Sequence, residues 1–510
     1  MSDSLPTASP DELRHRGWIT LSVMLGSVMQ SLDTTIANVA LPRIQGALSA
    51  TQEQMGWVLT SYIVGVAIMT PLSGWLTGPV GRKKVFVSSV VLFTLASAMC
   101  GSAHSLTELV IYRAIQGVAG AGLVPLSLAI LLDLYPKDQH GKATAMWGMG
   151  VTLGPILGPA LGGWLTETQS WRWVFLINIP FGVIATLIAS RFLHETPLRR
   201  TAFDFFGFAM LALAIGTLQL MLDRGQLLDW FNSTEIVIEA AIAAVAFYLF
   251  IVHILTTKQQ PFLSPSLFKD RNFALGSVFI FMVGIVLLAT LALLPPLLEG
   301  LFDYPVVTIG LVTAPRGMGT FLAMLVVGRI IGKVDARIVV TFGLLTTAFS
   351  LWLMTGFSPQ MDDRLVIWSG VIQGFGLGST WVPLTTIAFG TLAASQRNEA
   401  TAIFNLLRNM GSSIGVAMVT ALLTRNVQLM HSRLVEHITP YDLATRTHPV
   451  FDASTLHGLR AMDGVVTHQA TLIAYINDFK LLLIMTLAVT PLVFFLRKAR
   501  GSAPAAVHAD

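Results

Sequence analysis

Fourteen stretches of about twenty residues, almost free of charge, recur along this chain, and each is long enough to cross roughly 30 Å of hydrocarbon as a helix. They fall near 17–40, 55–77, 85–104, 107–132, 143–165, 173–193, 205–222, 234–256, 273–296, 307–328, 338–356, 365–390, 401–424 and 478–496. Lipid offers no partner to a backbone N–H or C=O, so such segments must satisfy their own hydrogen bonds. The chain is therefore predicted to be an all-α polytopic membrane protein. Its composition agrees, since 54% of the 510 residues are hydrophobic and only 12% are charged. Lys and Arg gather in alternate connecting segments, among them Arg82 to Lys84 and Arg329 to Arg337, which places both termini in the cytoplasm. The net charge of +4 is thus topogenic, and nucleic acid is not an expected partner. The first apolar run is too long for the core of a signal peptide and ends without a cleavage site, so it is read as a retained span. The lone thiol, Cys100, can form neither an internal disulfide nor a zinc cluster and is read as packing.

A repeat runs through the chain at a spacing near 257 residues. Ile115-Gln116-Gly117 with Pro125-Leu126 returns as Ile372-Gln373-Gly374 with Pro383-Leu384, and Lys142-Ala143-Thr144-Ala145 returns as Glu399-Ala400-Thr401-Ala402. Two six-helix bundles follow, 17–193 and 273–496, related about an axis along the membrane normal because the offset spans an even number of helices. Residues 205–256 remain as an inserted helix pair, 1–16 and 497–510 are cytoplasmic tails, and 425–477 is a polar loop on the outer, periplasmic side. Two such bundles place a substrate path at their interface, reached alternately from each side as they rock.

Asp33 stands inside the first apolar run. A carboxylate at the bilayer centre costs about 2.5 to 3.5 kcal/mol on insertion scales, so such a residue faces a protein interior or a wet cavity and usually has a function. At a rise of about 1.5 Å per residue it lies roughly 24 Å above the inner end of span 1, and Arg113 lies roughly 9 Å below the outer end of span 4, which is a comparable depth. If the two spans face each other, the arginine favours the ionised carboxyl while burial favours the neutral one, and opening and closing the pair is a proton switch. A static ion pair that only orients helices is the alternative. Asn38, Gln116, Arg316, Gln373, Asn405 and Arg408 are the remaining polar residues assigned to the cavity, for substrate or charge pairing. Arg316 and Arg408 are deep cations that could each hold an anionic ligand or a carboxylate; Arg316, which follows Pro315, could instead neutralise carbonyls freed at a kink.

Between Gly150 and Gly163 the run GVTLGPILGPALGG sets Gly150, Gly154, Gly158 and Gly162 at steps of four, with Gly163 alongside. That makes one smooth helix face on which another backbone can lie, while Pro155 and Pro159 weaken the hydrogen-bond ladder. A hinge is expected there, with ordinary helix packing as the bland reading. Gly74 to Lys84 forms a tight positive turn between spans 2 and 3, for which a topogenic role suffices. No phosphate-binding loop and no H-E-x-x-H metal motif occurs, so neither an enzyme nor ATP-driven transport has support, and no metal site is expected. The outer stretch carries His431, His437, His448, His457 and His468, and its length suits a docking surface.

At these motifs the sequence resembles the major facilitator superfamily, and within it the fourteen-span drug:proton antiporters of the EmrB/QacA type. LDTTIANVALP at Leu32 to Pro42, RAIQGVAGAG at Arg113 to Gly122, and the Gly150 to Gly163 run carry the resemblance. So do WRWVFLINIPFG at Trp171 to Gly182, LFKDRNF at Leu267 to Phe273 and NLLRNMGSSIG at Asn405 to Gly415, and LQLMLDRGQLLDWF at Leu218 to Phe231 points to the EmrB branch. The resemblance implies the major facilitator fold, with Asp33 and Arg113 in proton coupling and the Gly150 to Gly163 helix as the exporter hinge. It also implies a gating loop at Gly74, Gly81, Arg82 and Lys83, although Gly78 and Pro79 stand where the superfamily usually has an acidic and a basic residue. No cofactor is implied beyond a proton gradient. The implied partners are amphipathic small molecules, the lipid bilayer, a periplasmic membrane-fusion adaptor and an outer-membrane channel, in a bacterial inner membrane. The expected function is proton-coupled export of drugs, uncouplers, detergents or fatty acids. Its rivals are a solute importer or facilitator on the same fold and a membrane scaffold or sensor with no flux.

Overall fold

The computed structural model describes residues 10–136, 139–198, 202–257, 261–331, 333–392, 396–438 and 455–497. They are almost wholly helical, with one isolated bridge between Ile331 and Val334. Twelve helices among the described residues are long and apolar enough to cross a membrane. They are α2 (Gln52–Leu76), α3 (Arg82–Ser102), α4 (Leu106–Leu134), α6 (Trp173–Phe192), α7 (Phe205–Arg224), α8 (Thr234–Thr256), α9 (Arg271–Gly300), α10 (Thr308–Ile330), α11 (Ala336–Met354), α12 (Asp363–Gly390), α13 (Arg397–Val435) and α14 (Leu456–Val489). Two more, α1 (Arg16–Leu48) and α5 (His140–Thr168), lie where the first and fifth spans are expected. They are long enough to span but diluted by Ser, Thr and Gly. The set is compatible with fourteen spans.

Helix ends follow local chemistry. Thr51 closes a reciprocal capping box with Gln54 at the start of α2, and Asp204, Asp270, Asp335 and Asp362 each accept a backbone N–H at a helix start. α4 is interrupted at Ala121 and Gly122, where Gln30 of α1 accepts the N–H of Val124 at 3.1 Å. Trp18, Trp164, Trp352, Trp368 and Phe494 lie on the outside, as ring side chains do at lipid interfaces.

In the first bundle α1 packs on α5 and α6, and α4 on α2 and α3; in the second α9 packs on α13, and α12 on α10 and α11. The bundles meet through α2 with α13 and through α5 with α10 and α12. Of the inserted pair, α7 lies against both α2 and α13, and α8 lies against α7. The repeat reaches the packing: Gly154 and Gly158 of α5 lie on Ser31 and Thr35 of α1, and Gly411 and Gly415 of α13 lie on Phe281 and Ile285 of α9. The polar stretch 425–477 differs from a loop, because α13 continues to Val435 and α14 begins at Leu456. A helix of 39 residues is about 58 Å long, roughly twice the hydrocarbon thickness, so α13 rises well beyond it. His431 and Asp463, 3.0 Å apart, tie the two extensions together. His448 and the rest of 439–454, like most of both tails, lie outside the described residues.

Candidate functional site: a buried carboxylate between the helices of the first bundle

Asp33 faces α4 and is fully buried, as is Arg113 at 1% exposure. Nη1 of Arg113 donates to Oδ2 of Asp33 at 2.6 Å. The other carboxylate oxygen accepts from Nε2 of Gln116 at 2.9 Å and from Nδ2 of Asn178 on α6 at 3.3 Å. Gln116 and Arg113, one turn apart on α4, also bond each other at 2.8 Å, so the amide bridges cation and anion. Nε of Arg113 donates to the carbonyl of Val58 on α2 at 3.3 Å, and one turn on the Tyr62 ring lies 4.1 Å from the guanidinium carbon. Asn178 continues to Ser97 of α3 at 3.0 Å, whose hydroxyl donates to the Phe175 carbonyl at 2.8 Å. Helices α1, α2, α3, α4 and α6 therefore converge on one carboxylate. Such an ion pair in low dielectric holds only while its remaining donors and acceptors are matched.

Sequence reasoning placed Asp33 and Arg113 at one depth and named Gln116; it did not name Asn178, Tyr62 or Ser97. A lone amide inside the apolar run WVFLINIPF was the available signal for Asn178. Cys100 is fully buried in the apolar core, packed as read, and its thiol also lies 3.5 Å from Oε1 of Gln116, at the edge of the network. Asn38 stays apart from the network and is exposed on α1. An open groove of about 380 Å³, its accessible surface apolar, runs along the outside of the first bundle between Trp57, Thr60, Ser61 and Gly65 of α2, Ala114 and Val118 of α4, and Leu220 of α7.

Among the described residues the second bundle has no equivalent pair. Arg316, 7% exposed, donates through Nη2 to the Leu287 carbonyl of α9 at 3.2 Å, and not to a carbonyl of its own kinked helix. Gln373 donates to Thr290 at 3.1 Å. Asn405 turns back on its own helix, to the Thr401 carbonyl at 2.8 Å. Arg408 lies over the Trp381 ring at 5.2 Å, and Trp381 stacks at 5.9 Å on Trp147 across the seam between bundles. Asp478 of α14, also not singled out from the sequence, is 1% exposed, and neither of its carboxylate oxygens has a hydrogen-bond partner among the described residues. It is the first residue of the last apolar run, 478–496.

The seam is closed at the end bearing residues 16 and 497. Asp133, at the end of α4, pairs with Arg82 of its own bundle and, at 2.9 Å, with Arg397 of the other. It supplies the acid that Gly78 does not. Above it, Gly141, Ala145 and Gly148 of α5 meet Ile331, Gly328 and Met324 of the α10 end, Ala145 Cβ lying 3.0 Å from where a Cβ on Gly328 would sit. Gly81 starts α3 at φ +96°, a conformation suited to glycine, and the Glu195 carboxylate accepts the N–H of Lys83 and Lys84 at 3.0 and 3.2 Å. Gly74 is buried near the end of α2. Along α5, Gly150, Gly154, Gly158 and Gly162 all face α1, at Met24, Ser31, Thr35 and Ile36, and Gly163 faces Val39. The Ser31 hydroxyl donates at 2.5 Å to the Val151 carbonyl, which lacks an N–H four residues on because that residue is Pro155. The side chains of Pro155 and Pro159 lie outside the described residues.

Two bundles of transmembrane helices related by a repeat, meeting at a seam closed on one side, define a class. The family described as Major Facilitator Superfamily matches residues 23–416, and the chain belongs to it. The fold is shared with the crystal structure of the human organic anion transporter MFSD10, at a TM-score of 0.58 and 15% identity over 94% of this chain and 100% of that one. More particularly, the chain is 41% identical over 426 residues to the fatty acid resistance protein FarB of Neisseria gonorrhoeae, covering 83% of this chain and 84% of FarB. It is 39% identical over 427 residues to the multidrug export protein EmrB of Escherichia coli, covering 83% of each. The chain is a multi-pass membrane transporter similar to these exporters.

Proposed function

We propose that this protein exports hydrophobic and amphipathic compounds in exchange for protons, by alternating access between its two bundles. The observation that carries the reading is the occluded Asp33 carboxylate, held by Arg113, Gln116 and Asn178 in a molecule closed at its terminus-bearing end. A carboxylate in that setting exchanges its arginine for a proton when the helices around it shift. The open apolar groove between α2, α4 and α7 suits the approach of substrates with little hydrogen-bonding demand. The relatives named for multidrug export and fatty acid resistance support the same substrate range. No cofactor enters the cycle, and the proton gradient is its energy source. The α5 glycine face on α1 is the hinge of the rocking motion, and the Arg82, Asp133 and Arg397 cluster is its cytoplasmic latch. Membrane vesicles of inverted orientation, with an imposed pH gradient, test the reading: adding substrate releases protons from the lumen, and silence across a broad panel of amphipaths would refute it.

The same reading places the protein in a bacterial inner membrane with both termini in the cytoplasm. The α13 and α14 extensions then stand in the periplasm as a docking surface for a membrane-fusion adaptor that leads to an outer-membrane channel. Deleting 433–460 is expected to spare vesicle transport and abolish resistance in cells; unchanged resistance would remove the docking role.

A further inference from the structure

The two bundles carry one polar contact twice, with the charges rearranged. At the repeat spacing, Asp33 and Gln116 correspond to Thr290 and Gln373, and each pair is hydrogen-bonded, at 2.9 and 3.1 Å. Gly117 corresponds to Gly374; the first packs on the backbone of Tyr62 in α2, and the second packs in the same manner on the backbone of Arg316 in α10. Arg316 therefore occupies the place of Tyr62, and the counterpart of Arg113 is Gly370, where a Cβ would come 3.5 Å from Cβ of Arg316. In the first bundle α4 supplies the cation and α1 the anion. In the second the cation has moved to α10, and a threonine hydroxyl stands where the anion was.

Among the described residues the cation has no counter-charge. Nη2 of Arg316 is engaged by the Leu287 carbonyl, one turn before Thr290, but its Nη1 has no hydrogen-bond partner among the described residues. Oε1 of Gln373, the atom matching the one that bridges Arg113 in the first bundle, has none either. No salt bridge to Arg316 occurs among the described residues, and Thr290 and Gln373 are fully buried. A guanidinium in low dielectric is strongly stabilised by a monovalent anion delivered to it, because the desolvation cost has already been met by the fold. A carboxyl or phenol group also brings, when protonated, a donor for the leftover Gln373 oxygen.

We propose that Arg316, with Thr290 and Gln373, is the head-group site for amphipathic weak acids, the substrate's carboxylate or phenolate taking the position in the second bundle that the Asp33 carboxylate holds in the first. The proposal rests on the reading of the protein as an exporter of amphipaths and names the substrate class of that path. Thr290→Asp rebuilds the first-bundle pair in the second, so a resident carboxylate competes with the ligand.

Equilibrium binding of radiolabelled dodecanoate to the full chain in lipid nanodiscs, against empty discs, is read first. Proton-driven uptake of dodecanoate and of the cation ethidium into proteoliposomes is read second. Arg316→Gln and Thr290→Asp are each expected to weaken dodecanoate binding at least tenfold and to lower the dodecanoate-to-ethidium uptake ratio by a similar factor, with Arg316→Lys intermediate. Unchanged binding and an unchanged ratio in Arg316→Gln would overturn the proposal, as would dodecanoate uptake at the parental rate in Thr290→Asp. Arg316-dependent binding without proton-driven uptake of either compound would uphold the site and defeat the exporter reading.

Discussion

Replacing Asp33 by asparagine separates a proton switch from a static strut. The substitution keeps the side-chain shape but removes the charge that faces Arg113 at 2.6 Å, with both groups at or below 1% exposure. Removing one partner of a buried pair costs about 3 to 5 kcal/mol, because the other is left charged and uncompensated. Removing both is close to neutral on the same scale. Asp33→Asn is thus expected to lower the thermal unfolding midpoint of the purified protein, and the double variant with Arg113→Gln is expected to recover most of the loss. Uphill export, measured in proteoliposomes under an imposed proton gradient, is expected to vanish in both, since neither retains a group that binds and releases the proton. Recovery of export together with stability in the double variant would mean that the pair only holds helices, and parental export by the single variant would refute the coupling role outright.

Two further outcomes follow from the geometry. Asp133→Asn removes the acid shared by Arg82 and Arg397; a partly exposed bridge of this kind is worth about 1 kcal/mol, so the ratio of closed to open molecules should fall roughly fivefold. Spin labels at Lys142→Cys and Arg329→Cys in a Cys100→Ser background should report longer distances, and an unchanged distribution would rule out the latch. Asp204 accepts from the N–H groups of Gly207 and Phe262 at 2.8 and 3.0 Å and meets His253 at 2.8 Å, tying α7, α8 and the strand of chain before α9 together. Burial alone would raise its carboxyl, but these donors outweigh it and hold the group below the ordinary value of 3.8. Its contribution is therefore present above that value and lost only as the pH falls through the folded-state value. Asp204→Ala should destabilise the inserted pair by about 2 kcal/mol at neutral pH, read as faster proteolysis of the α8 to α9 connection; equal proteolysis would show that the clasp is dispensable.

Lipid is a strict solvent, and for that reason the amino-acid sequence alone determined most of the architecture. Hydrocarbon forces each apolar run into a helix, and loop cations fix the alternation of spans. Asp33 and Arg113 could be set at one depth because helix rise is constant. The repeat was legible in Gln116 and Gln373, and the α5 glycines announced a close helix contact before their partner on α1 was known. Rotation of helices about their own axes was not legible, and rotation chooses neighbours. Only the tertiary structure decided that Asn178, Ser97 and Tyr62 join the carboxylate, that Cys100 touches Gln116, and that Asn38 turns away. It alone decided that Asp133 links the bundles and that Arg316 stands beside Gly370 with no acid paired to it among the described residues. These contacts join residues tens to hundreds of positions apart, and they depend on packing angles that no local pattern of polar and apolar residues records.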